Sequence, residues 1–183
     1  SLTLLSITGD RGVIRQEDVG RKNTSSEDKS KYKRICPGDI GYNSMRMWQG
    51  VSALSDLEGI VSPAYTIVTP KKEVDPVFAS YLFKLPRTVY DFRRHSQGLT
   101  SDTWNLKFPL FSRVTVRLPE PAEQQAIANI LSGVDGADDL LKPQRDKLQL
   151  EKATLIQQLL TGNRRVKVDG DVDRIVQEEA AHA

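Results

Sequence analysis

The chain has 183 residues, 38% hydrophobic and 27% charged, with a formal net charge of +2. That length buries a real core but is too short for a large multidomain enzyme. No run of about 18 apolar residues occurs, which excludes a membrane-spanning helix.

In chain order, Leu2–Ile7 and Gly12–Arg15 flank the turn Thr8-Gly9-Asp10-Arg11, and the pattern predicts a hairpin. Gln16 to Ser30 is polar and reads as a long loop. Pro37-Gly38-Asp39 is a turn signal before the strand Ile40-Gly41-Tyr42. Gly59-Ile60-Val61 and Ala64–Thr69 have the β-branched and aromatic content of further strands. Asp75 followed by Pro76 is an N-cap and first-turn pair, predicting a helix to Leu85 that Pro86 ends. Arg87 to Arg94 predicts a second short helix. Val114-Thr115-Val116-Arg117-Leu118 alternates as a half-buried or edge strand.

Beyond Pro119-Glu120-Pro121 the pattern turns helical. Ile127, Ile130 and Leu131 share one helix face, with Gly133 expected as a C-cap and Asp135 as a new N-cap. Leu141, Leu148 and Leu155 lie seven apart, and Leu159 holds the companion position that Arg145 and Lys152 hold earlier. Pro143 interrupts the pattern, so a straight helix is expected only after it. Thr161-Gly162-Asn163 reads as its end. The expected architecture is α+β: a strand-rich globular part at 1–118, a helical dimerisation or spacer arm at 119–163, and a polar tail at 164–183. A leucine stripe on an isolated arm needs a partner helix, either in a second copy or in another protein.

Charge and aromatic content divide at the same place. Residues 1–118 carry 18 basic and 12 acidic side chains, whereas 119–183 carry 8 and 12. All aromatic residues lie between Tyr32 and Phe111. A basic half with aromatics suits a polyanion partner.

Catalytic chemistry is hard to find. His95 is the only well-placed histidine, since His182 is nearly terminal, and Cys36 reads as a packed thiol that forms neither a disulfide nor a zinc cluster. Phosphate-binding glycine loops and the nucleophile elbow are missing from the sequence. A non-catalytic protein without cofactor or metal is therefore expected. A start at Ser1 points to a trimmed upstream piece; no secretory signal is expected, and a reducing cytoplasm is the expected location. Basic clusters are better placed: Lys31, Lys33 and Arg34 around Tyr32; Arg46 and Gln49 around Trp48; Arg93, Arg94 and Gln97 before Gly98. Arginine reads guanine and Asn or Gln reads adenine by paired hydrogen bonds, whereas lysine holds phosphates. Arg46, Gln49, Arg94 and Gln97 are the expected base readers, and Trp48, beside two methionines, is expected to anchor the core.

The run Pro119-Glu120-Pro121-Ala122-Glu123-Gln124-Gln125-Ala126-Ile127-Ala128-Asn129-Ile130-Leu131 resembles the segment that leaves a target recognition domain of type I restriction–modification specificity subunits. Leu155-Ile156-Gln157-Gln158-Leu159-Leu160-Thr161-Gly162 is similar to the end of that family's spacer helix. Pro37-Gly38-Asp39-Ile40, Asn43-Ser44-Met45 with Trp48-Gln49-Gly50, and Gly59–Tyr65 resemble its recurrent upstream blocks. The resemblance implies a DNA-recognition subunit without a catalytic centre, reading half of a split duplex site. It implies a second recognition domain or a homodimer through antiparallel spacer helices, and docking of methyltransferase and restriction subunits. With one domain and one spacer, the chain corresponds to half of such a subunit. The competing expectation is a coiled-coil scaffold that binds only protein.

Overall fold

A computed structural model describes residues 2–20 and 28–166. The expected hairpin is present: β1 (Leu4–Ile7) pairs antiparallel with β2 (Val13–Arg15), Ser6 opposite Ile14. The Thr8 N–H donates to Gly12 O at 2.9 Å, and Gly12, at φ +74°, takes the left-handed conformation that closes the turn. Of the polar stretch after it, Gln16–Val19 forms a 3-10 turn and 21–27 lie outside the described residues. β3 (Lys33–Ile35) and β6 (Gly59–Val61) complete a sheet of order β2-β1-β6-β3, with β1 and β6 parallel. β4 (Ile40–Asn43), β5 (Ser52–Leu54) and β7 (Tyr65–Val68) form a second, antiparallel sheet of order β5-β4-β7.

The second sheet is covered on both faces. Leu5, Ile7, Val13, Ile35, Ala53 and Val61 fill the space between the sheets. Gly41 lies on that side because a Cβ there would overlap Ile7. On the opposite side Tyr42 packs with Met47, Phe92 and Leu106, and its ring stacks on Phe111 at 5.1 Å. Burial pushes the Tyr42 phenol up to about 12, against a smaller opposing pull from the Thr66 hydroxyl. An unfolded tyrosine ionises near pH ~10, so between those values the folded state keeps a proton that the unfolded state has lost. Stability should therefore decline as pH rises through that window. Urea midpoints measured across it should fall for the native chain and stay flatter for Tyr42→Phe.

Asp75 caps α1 (Pro76–Leu82) as expected, its Oδ1 accepting the Phe78 N–H at 2.7 Å. α1 stops at Leu82, short of the expected Leu85, so Pro86 does not end it; Pro86 instead occupies the first turn of α2 (Pro86–His95), where its missing N–H costs nothing. α3 is a single turn at Phe108–Phe111. The expected strand at 114–118 does not form. Alternation describes a half-buried segment, but no neighbouring strand pairs with it. Val114, Val116 and Leu118 instead line an apolar cleft of about 450 Å³ with Leu82, Phe92 and Phe111.

α4 runs from Pro121 to Leu160, 40 residues without a break at Gly133, Asp135 or Pro143. A glycine C-cap needs a left-handed φ; Gly133 lacks one, whereas Gly162 has it at +74°. The Arg164 N–H then closes back onto Gln158 O at 3.0 Å, which ends the helix where expected. Pro143 falls at the heptad position farthest from the Leu141–Leu148–Leu155 stripe. Lys142 brackets the weakened turn, reaching Asp139 at 2.6 Å and Asp138 at 3.6 Å.

The chain divides into two compact units, Ser1–Ser132 and a second beginning at Gly133. The first turns of α4 therefore belong with the globular unit, and the division falls later than the composition break at 118/119. The reason is burial: Gln124 and Ala128 are each only 1% exposed. The Gln124 amide donates to Glu73 O and Pro119 O and accepts the Asp75 N–H. The architecture is α+β, a strand-rich unit followed by a long helix. Among the described residues no helix is long and apolar enough to cross a membrane. Of the polar tail expected from 164, residues 167–183 lie outside the described part, with His182 among them.

Candidate nucleic-acid interface

Two of the three basic clusters come together in the first unit. The 3-10 turn Met47–Gln49 packs against α2, bringing the Arg46–Gln49 segment beside Arg93. The join is aromatic: Trp48 meets Trp104 edge to face at 5.2 Å, and the Arg93 guanidinium lies over the Trp104 ring at 5.2 Å. The Trp48 indole N–H donates to Met45 O at 3.0 Å. Trp48 is thus half-buried, and the fully buried anchor is its neighbour Met47. The short 3-10 geometry points Met47 inward and leaves Arg46 and Gln49 at the surface. Gln97 pairs with Asn105 through two backbone hydrogen bonds of 3.1 and 2.8 Å, which ties the loop after α2 to the Trp104 segment. Arg94 is exposed and lies 6.0 Å from the ring of Tyr90, itself 59% exposed, so its guanidinium has looser support.

The third cluster reaches this region only in part. Lys33 lines a cavity of about 370 Å³ together with Met45, Asn105 and Lys107. Its ammonium donates to the carbonyls of Pro63 at 3.2 Å and Tyr65 at 2.6 Å. Arg34 is engaged with Glu58, Nε to Oε1 at 3.1 Å, so part of its charge is already answered. Lys31 is exposed just before β3. The alternation of β3 explains the split: Lys33 and Arg34 leave the strand on opposite faces, and Ile35, two residues after Lys33, enters the core.

Trp104, Asn105 and Lys107 join this surface from outside the three clusters expected from the sequence. Their signal is local, since Trp104-Asn105-Leu106-Lys107 holds an aromatic, an amide and a cation around an apolar residue. Leu106 is fully buried, and its N–H donates to Ser44 O at 2.8 Å. That contact leaves Lys107 at the surface and holds Asn105 half-buried, with its Oδ1 out of solvent.

The groups considered for catalysis have structural neighbours. His95 Nδ1 lies 2.8 Å from Asp91 O within α2. Cys36 is half-buried, and its backbone N–H donates to Asp39 Oδ2 at 2.8 Å. The other Asp39 oxygen accepts the Thr69 hydroxyl at 2.6 Å, so the buried carboxylate is satisfied by structure. Among the described residues, no group of three His, Cys, Asp or Glu side chains is arranged to hold a metal.

The second unit offers a different surface. Leu141, Leu148, Leu155 and Leu159 are 58%, 64%, 40% and 42% exposed. Leu141 and Leu148 form a shallow groove edged by Gln144, Arg145, Gln149 and Lys152. No family model matches the chain.

Proposed function

We propose that this chain is the DNA-recognition component of a type I restriction–modification system, a specificity subunit or half-subunit. In that role it directs methyltransferase and restriction subunits to a bipartite duplex site and performs no chemistry itself. The observation that carries the proposal is the surface from Arg93, Trp104 and Trp48 through Asn105 and Lys107 to Lys33. It combines an arginine held on an aromatic face, the exposed Gln49 amide beside Trp48 and lysines, the set that base reading and phosphate holding require. The leucine-striped arm supports the second half of the proposal. One half-site supplies few base contacts, and pairing two readers makes the second contact intramolecular, raising specificity without enlarging either domain.

The test is duplex binding over a range of salt. Lys31→Gln, Lys33→Gln and Lys107→Gln together should weaken all duplexes alike and reduce the log–log salt slope by about 1 for each phosphate no longer neutralised. An unchanged slope would remove these lysines from the interface. The exposed stripe also suits a protein-only scaffold, which would show no steep salt dependence with any duplex.

A further inference from the structure

Two arginines at the end of α2 are candidates for reading a base, and their surroundings differ. Arg93 lies over Trp104, Trp104 is braced by Trp48, and Trp48 is tied to Met45 O through its indole N–H. Arg94 rests beside an exposed Tyr90 at the outer limit of a cation–π contact. Neither arginine has a carboxylate partner within ion-pair distance among the described residues. Stacking differs from ion pairing in one useful respect: it holds the plane of the guanidinium and leaves its N–H donors free. A fixed plane with free donors is the geometry of a bidentate contact to guanine O6 and N7. Lysines 33 and 107 supply point charges nearby, which suit phosphate and carry no base information.

We infer that Arg93 reads a guanine through its major-groove edge and that Trp104, braced by Trp48, is the positioning residue that orients it. The inference rests on the DNA-recognition proposal and adds the base, the reading side chain and the support. Charge alone is then insufficient at position 93. A lysine keeps the charge but has neither the planar fork nor the stacking face.

The experiment selects bound duplexes from a randomised pool with the full chain, then measures affinities of the variants for selected and scrambled duplexes. The wild-type consensus should contain an invariant guanine. Arg93→Ala should lose preference at one guanine position and bind the selected duplex about 5- to 150-fold more weakly, the range one bidentate pair commands. Scrambled duplexes should be bound as before. Arg93→Lys should not restore the preference. Trp104→Leu should reproduce the loss in weaker form, and Trp104→Phe, which keeps an aromatic face, should recover it. Thermal unfolding of Arg93→Ala should match the wild type, since the side chain is exposed. Equal weakening on all duplexes, with a shallower salt slope, would make Arg93 a phosphate contact and overturn the inference. A wild-type consensus without guanine would overturn it while leaving DNA recognition intact. A wild-type chain that selects no duplex would remove the DNA-recognition proposal and this inference with it.

Discussion

Replacing Gln124 with glutamate should destabilise the globular unit by about 3–5 kcal/mol, the cost of a buried charge without compensation. The native amide donates to Pro119 O at 2.8 Å and Glu73 O at 3.0 Å, and accepts the Asp75 N–H at 2.9 Å. Glutamate removes both donors and sets a negative charge against two carbonyl oxygens. Gln124→Ala removes the same bonds without adding charge and should cost less, about 2–4 kcal/mol, because it leaves the Asp75 N–H and two carbonyls without their partner. Urea unfolding separates the two variants. The glutamate's folded-state pKa is raised above its unfolded value near ~4.3, so below that value its penalty should shrink and above it the variant should lose stability. Equal midpoints for wild type and both variants would mean that the start of α4 is not held by this amide.

The second large effect concerns the arm. Leu148→Asp with Leu155→Asp should convert a paired species to single chains in analytical ultracentrifugation. Burying one leucine contributes about 1.5–3 kcal/mol, and a symmetric pair loses two from each chain. Asp at these positions would also have to enter the seam as an unpaired charge. Globular-unit stability should be nearly unaffected, because both leucines are already exposed in the single chain. A wild-type chain that sediments as a compact monomer at tens of micromolar would contradict pairing through this stripe.

These two variants mark different degrees of legibility in the sequence. The stripe of Leu141, Leu148 and Leu155 is visible as a seven-residue repeat because periodicity within one helix is a local property. Gln124 is visible only as part of a family-like segment. Its burial depends on three partners, of which Glu73 and Asp75 come from a distant part of the chain. Arg93 and Arg46 stand out singly by residue type, yet nothing local indicates that Trp48 and Trp104 join their segments. Lys107 carries only the local signal of its run with Trp104 and Asn105, and the cavity it shares with Lys33 is not visible there.

By itself the sequence determined the elements whose causes lie within a few residues. These are the hairpin around Thr8–Arg11, the Asp75–Pro76 helix start, the helix end at Gly162 and the division between an aromatic basic part and an aromatic-free arm. Tertiary structure alone decided the rest. Ser52–Leu54 and Lys33–Ile35 are strands because neighbouring strands pair with them, despite weak local pattern. Val114–Leu118 alternates correctly and is no strand, because no neighbour offers it a ladder. Gly133 and Pro143 sit inside a helix because helix formation is cooperative, and the turns on either side outweigh the local cost of each. Backbone pairing and side-chain convergence are long-range events, and one chain read in order holds only half of each.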